Sequence, residues 1–574
     1  MALLARQSQA DQAVDYIINA LSKPNFHGDI KAILNNLVYY VPRVRSKVNL
    51  DRLLHAMFCS KAWETALQND LISLQESSEA IFSWKLEISE PVISVNEFYQ
   101  AWDSAVTDCN MWSAGQIAII GGALKAQNKF KSLQTRYFLD ERGSVVEIYT
   151  RWKRQYFLPL WRQIFMRSVR TPKRLEQLAL ILSAVFSPGD SAFVPCDPLC
   201  EVLIGLSIAY IQDPSRGEPS VARNISNIAK TLEAALQYAS KKVTSRSLKL
   251  ICTATFELSL RELNNPKSVY SSQAYSNQLL TVVLIFRGCV TQPVIPDIWY
   301  LQIIVSLYYM NFILQDFGRV GFESYEFIYE VCTTAIKMKP ESYVNSLEVM
   351  RGNLWPSVMN NAVNDSRALF LLTFVESTVA DMTIDAKLLH SILVPTLNHF
   401  VRSPNTVICE SAHAAQLALF SNHVSPDCLQ KWKCGNCLEY LDLSTNQFLA
   451  GFLSSSQVVH VYTSIVREAA FLHPYNDDLV REILHFTYLR ILNSWKMGPE
   501  IVTTLIECLV VQIPHASQKY IIDWLDNCLS LINSCGQGKE KLLDHLWLQL
   551  TSNEITDDAF SWWYENVVRA SSKL

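Results

Sequence analysis

Cys434-Gly435-Asn436-Cys437 is the most closely spaced cysteine pair in the chain, with His423 and Cys428 a few residues upstream. Two thiols separated by two residues serve either as a redox couple or as half of a tetrahedral zinc site. A redox couple needs its first cysteine at the start of a helix within a βαβ unit, and a structural zinc site needs a second paired set at a fixed distance. The flanking sequence offers neither, so core or loop thiols are the favoured reading. A thiol oxidoreductase using Cys434 and Cys437 is the alternative. Cys409 and His413 share a helical face but have no further ligand residues nearby, and the rest of the 11 histidines and 14 cysteines are dispersed. No glycine-rich phosphate loop, His-Glu-x-x-His pair or Gly-x-Ser-x-Gly elbow occurs. The sequence therefore predicts no enzyme, no cofactor and no metal.

A second kind of chemistry lies between Arg151 and Leu175. Basic residues occupy positions 151, 153, 154, 162, 167, 170, 173 and 174, and Trp152, Tyr156, Phe157, Trp161 and Phe165 are interleaved among them. After Pro159, helical spacing puts Trp161, Ile164, Phe165 and Val169 on one face, with Arg162, Arg167 and Arg170 around it. Such a segment can lie on an anionic membrane surface or receive an acidic partner. It also satisfies the requirements of an ordinary core helix with a solvated basic side.

The third lies at the carboxyl end. Ser572-Lys573-Leu574 matches a peroxisomal address that is read by a receptor. A tetratricopeptide-type pocket can close on a free carboxylate, a small side chain, a cation and a leucyl group only at a chain end. Trp562, Trp563, Tyr564, Val567 and Val568 suit a last docked helix, beyond which nothing holds the tail down.

These segments need a scaffold, and composition points to helices. Of 574 residues 49% are hydrophobic and 18% charged, ample for a large core and unlike a disordered chain. Fifty basic against 54 acidic residues argue against a general nucleic-acid binder. Only 17 glycines occur, against roughly 40 at average usage, which leaves few phosphate loops or tight hairpins. Val14, Ile17, Ile18 and Leu21 follow helical spacing, as do Ile30, Ile33, Leu34, Leu37 and Val38. Ser94-Val95-Asn96-Glu97 is a capping box, and Gln116 to Leu124 is another apolar segment. Ser144 to Tyr149 alternates too briefly to specify a strand. Ile298 to Leu314 is barely long enough to span a membrane and contains Gln302, Ser306 and Asn311, so it reads as a buried helix. Met1 to Gln12 has no secretory h-region.

Breaks such as Ser187-Pro188-Gly189, Asp213 to Pro219, Asn264-Asn265-Pro266 and Ser425-Pro426 separate stretches of helical length. The expected fold is all-α, an irregular α-solenoid of armadillo or HEAT type without a clean repeat. It would run as one helical array over 1–568, with a possible subdivision near 187–220, followed by an exposed tail over 569–574.

Several local strings resemble the peroxin-8 family of fungal peroxisome-biogenesis proteins. They include Val38-Tyr39-Tyr40-Val41-Pro42-Arg43-Val44, Trp84-Lys85-Leu86-Glu87-Ile88-Ser89-Glu90-Pro91 and Val320-Gly321-Phe322-Glu323-Ser324-Tyr325. Asn446-Gln447-Phe448-Leu449-Ala450-Gly451, Pro474-Tyr475-Asn476-Asp477-Asp478-Leu479, the run Leu505 to Ile513, Trp562-Trp563-Tyr564 and Ser571-Ser572-Lys573-Leu574 continue the series. The second, amino-terminal address described for some family members has no match here. The resemblance implies a non-enzymatic import component, peripheral on the lumenal face of the peroxisomal membrane. It would join the receptor-docking peroxins to the RING-finger peroxins and help the import receptor, through its tetratricopeptide domain, to release cargo. The other alternative is a cytosolic helical scaffold with a chance carboxyl-terminal tripeptide.

Overall fold

The computed structural model describes residues 2–23, 29–65, 70–89, 91–137, 143–215, 218–264, 272–317, 323–354, 361–535, 538–552 and 557–569. Among them every regular element is a helix, so the fold is all-α. The start signals act as local chemistry requires. Ser94 accepts from the Glu97 amide at 3.2 Å while Glu97 accepts from the Ser94 amide at 2.8 Å, closing the capping box. Ser113 with Gln116 and Ser454 with Gln457 repeat the device. Proline opens the helices Pro172–Ser183, Pro219–Leu236, Pro340–Gly352 and Pro499–Val510, where its missing N–H costs nothing. The Ser144–Tyr149 stretch is helical, because Val145, Ile148 and Tyr149 at i, i+3 and i+4 are the residues that find the core.

The chain forms two compact units, Met1–Val331 and Cys332–Leu574. In the first, helix Leu71–Glu87 packs along Ala114–Lys125. The approach is close: a β-carbon on Gly122 would stand 2.6 Å from Ser78 Cβ and 2.8 Å from the Glu79 nitrogen. Further along, Cys196–Gln212 contacts both Pro219–Leu236 and Lys241–Asn264, Pro219–Leu236 contacts Ser272–Val290, and Lys241–Asn264 contacts Asp297–Phe317. Each helix thus meets its neighbour and its next-but-one, the layering of a helical stack. Helix Asp297–Phe317 is long and apolar enough to cross a membrane by length and composition. In this unit it packs as a core helix, burying Trp299, Ile303, Ile304, Leu307, Tyr308, Met310 and Ile313. Its Ser306 hydroxyl donates to Cys252 Sγ at 2.9 Å, and Trp299 donates to Ser245 Oγ at 3.0 Å.

The second unit repeats the layering: Ala362–Val379 packs on Thr406–Phe420, Asp427–Leu449 on Ser455–Phe471, and Pro499–Val510 on Leu479–Ser494, Ser455–Phe471 and Lys539–Ser552. Its last described helix, Asp557–Trp563 with a π-turn over Tyr564–Val568, buries Trp562 and Trp563. Tyr564 and Val568, expected to dock as well, face solvent, because the π-turn carries them off the buried stripe.

Helix carboxyl termini leave carbonyls without intrahelical donors. Here side-chain amides from farther along the chain, on later helices or the loops after them, fill that need. Gln116 donates to the Phe58 carbonyl at 2.8 Å, Gln278 to Ile211 at 2.8 Å and Gln292 to Leu236 at 2.6 Å. In the second unit Asn422 donates to Val379 and Gln447 to Val401, both at 2.6 Å. Every acceptor lies in the last turn of its helix.

Candidate interaction surface and the cysteine pair

Gly143, at φ 72°, leads the chain into Ser144–Arg151, which passes through a π-turn at Trp152–Phe157 into Leu158–Arg167. The aromatic residues face inward. Trp152, Phe157, Trp161 and Phe165 are fully buried. Trp161 stacks on Phe165 with centroids 4.5 Å apart and donates to the Leu178 carbonyl at 2.9 Å; Trp152 donates to Asp103 at 3.0 Å.

Seven of the eight basic residues divide into two sets, and Arg174 is half-buried. Arg151 and Lys153 are structural: Arg151 holds Asp103 with an Nε contact at 3.2 Å, and Lys153 pairs with Asp190 at 2.7 Å. Arg154, Arg162, Arg167, Arg170 and Lys173 are exposed and form no ion pair with any described residue. Between them Met166 and Val169 are about half exposed. Val169, expected on the apolar stripe, is outside it because the helix tightens to a 3-10 turn at Ser168–Arg170 and rotates it outward. The result is a cationic face bearing two apolar side chains on a rigid aromatic base, suited to an anionic surface.

The cysteine pair lies well inside helix Asp427–Leu449, away from the amino-terminal position that activates a redox thiol. Cys437 is fully buried and Cys434 half-buried. Burial pushes the Cys437 thiol up to about 12, and the Cys434 thiol is raised for the same reason. Lys433 stands beside both and pulls the other way, but burial outweighs it. Lys433 is itself buried, donates to the Asn422 carbonyl, and is lowered to about 8 by desolvation, with Glu468 opposing the shift. Glu468 lies 3.1 Å from His423 Nε2, an ion-pair distance, and its carboxyl is raised by burial. This surrounding favours protonated thiols. Among the described residues no group of three or more histidine, cysteine or acidic side chains is placed to hold a metal ion.

His413 and Cys409 are both buried, and their partners are structural. His413 Nδ1 is 2.7 Å from the Tyr440 hydroxyl, its Nε2 is 2.8 Å from Gln447 Oε1, and Cys409 Sγ is 3.1 Å from the Val401 carbonyl. Sequence reasoning did not anticipate the buried Lys433 and Glu468, since only tertiary packing removes them from water. The address Ser572-Lys573-Leu574 lies outside the described residues.

A family model described as PEX8 helical domain matches residues 209–324, and another described as PEX8 C-terminal domain matches residues 431–574. Two curated relatives, each called Peroxisomal biogenesis factor 8, align almost end to end. One, from Saccharomyces cerevisiae (strain ATCC 204508 / S288c), is 29% identical over 98% of this chain and 100% of its own length. The other, from Pichia angusta, is 23% identical over 98% of this chain and 94% of its own length.

Proposed function

The chain belongs to the peroxin-8 family, and on that premise we propose that it is a non-enzymatic factor for import of matrix proteins into peroxisomes. The observation that carries this reading is the end-to-end match with two proteins named Peroxisomal biogenesis factor 8. In this proposal the protein lies on the lumenal face of the membrane and joins the docking peroxins to the RING-finger peroxins. A stacked helical scaffold supports that role, because each layer of helices presents its own surface and several partners can be met at once. The cationic face at Arg162, Arg167 and Arg170 rests on the anionic headgroups, giving peripheral attachment without a spanning segment.

Ser572-Lys573-Leu574 is both the address and, in this reading, a competitor: it occupies the receptor's tetratricopeptide pocket and displaces cargo that carries the same signal. The protonated, helix-embedded thiols of Cys434 and Cys437 weigh against the oxidoreductase alternative.

The test is a strain lacking the protein, scored for matrix-protein import with membrane-protein insertion as control. Loss of the first with retention of the second is the expected outcome. Normal matrix import would overturn the proposal.

A further inference from the structure

Helices Pro172–Ser183, Cys196–Gln212 and Pro219–Leu236 enclose a groove of about 530 Å³ in the first unit. Its walls are apolar: Leu175 from the first helix, Val202 and Leu206 from the second, Val221 from the third. Along the second helix Glu201, Gly205 and Ala209 recur every four residues and so lie in one line. Nothing stands within 4 Å of where a β-carbon on Gly205 would be, so the backbone is bare there. That line is a trough into which another helix can settle closely.

The charge lining the trough has one sign: among the described residues Glu176, Glu201 and Glu218 line it and no basic residue does. Glu201 reaches Arg246 at 3.5 Å, but both side chains are half exposed or more and the pair is weak. Glu176 forms no ion pair with any described residue. Its carboxyl is raised by burial first and by Glu218 second, with Lys173 relieving only part of the strain. Glu176 therefore sits desolvated beside an apolar floor with a second carboxylate near it, and a bound cation would relieve it.

We propose that this groove is a docking site for an amphipathic helix of a partner protein, seating leucine-like side chains in the trough and placing lysine or arginine against Glu176 and Glu218. An anionic or purely apolar helix would leave those carboxylates desolvated and unpaired, so charge decides between occupants. The site does not depend on the import role, since it is defined by the groove's own shape and charge.

The experiment uses the full chain and a fluorescent peptide of leucine and lysine at amphipathic helical spacing, with a leucine–glutamate peptide of the same pattern as control. Anisotropy titration should show saturable binding of the first and not the second. Glu176→Gln with Glu218→Gln should weaken binding about tenfold and flatten its salt dependence. Gly205→Leu, whose β-carbon meets nothing within 4 Å and whose side chain would occupy the trough, should abolish binding while the circular dichroism melt is unchanged. Binding that ignores both variants, or equal binding of the acidic peptide, overturns the proposal. So does self-association of the chain that the same variants remove, which would make a second copy the occupant.

Discussion

The side-chain amide of Asn422 donates to the Val379 carbonyl at 2.6 Å and to the Met382 carbonyl at 2.7 Å, joining the end of one helix to the loop after Thr406–Phe420. Its oxygen accepts from the Val424 and Ser425 amides at 3.1 and 2.9 Å, and the residue is fully buried. One side chain thus satisfies four backbone groups.

Asn422→Leu keeps the volume and removes all four bonds. Leaving several buried polar groups unpaired is expected to cost about 3 kcal/mol or more. Chemical denaturation of wild type and variant measures it; a loss under about 1 kcal/mol would mean that water replaces the amide.

Acid should weaken the second unit through His413. Gln447 donates from its own amide to Val401, so its oxygen accepts from His413 Nε2, and Nδ1 is left to accept from Tyr440. That arrangement requires neutral imidazole, and burial lowers the His413 pKa below its ordinary value, with the Gln447 bond opposing. His515 is lowered too, by burial first. The unfolded state therefore binds more protons, so stability is full above the free imidazole value of about 6.5 and falls as pH drops through it. Melting temperatures measured from pH 7.5 down to 5 should decline, and His413→Gln should shrink that decline.

Much of this was readable from the sequence. The capping box at Ser94 and Glu97 and the inward face of Trp161 and Phe165 follow from spacing alone, because both are properties of one helix. The exposed arginines were legible for the same reason. The amide bonds from Asn422, Gln278 and Gln292 were not, since each joins residues more than forty positions apart and an isolated glutamine carries no periodic signal. The groove bearing Glu176 was equally hidden: its three walls come from three helices.

Thiol reactivity should follow burial. With Cys437 pushed up to about 12, its thiolate fraction near neutral pH is on the order of one in 10⁴–10⁵. Iodoacetamide on the native protein should modify exposed Cys59 first and leave Cys437, Cys508 and Cys528 intact until denaturant is added. Rapid native labelling of Cys437 would revive a redox role. Import that survives replacement of Cys434 and Cys437 by serine removes it.

Reversing charge at Arg162, Arg167 and Arg170 to glutamate should abolish binding to vesicles containing phosphatidylserine at physiological salt. At about 1 kcal/mol per basic residue near such a surface, the triple change is worth at least a hundredfold. The melting temperature should hold, as none of the three is paired. Unchanged vesicle binding would make this face an ordinary solvated one.

Removing Ser572-Lys573-Leu574 deletes carboxylate, cation and leucyl group together, so binding to the receptor's tetratricopeptide domain should fall sharply. Delivering the truncated protein to peroxisomes by another route separates two roles. Continued partial impairment, with cargo held on receptor, supports competition; full rescue leaves only an address.

The amides that close helix ends also set an order of events during synthesis. Their donors follow their acceptors by 43 residues for Asn422 and 67 for Gln278. At roughly 5–20 residues per second, a helix that has left the ribosome waits about two to thirteen seconds for the side chain that seals it. Throughout that interval its last carbonyls face water or whatever donor is near. The growing chain therefore carries an unsealed helix end during each such wait, and two at once where the intervals of Gln278 and Gln292 overlap.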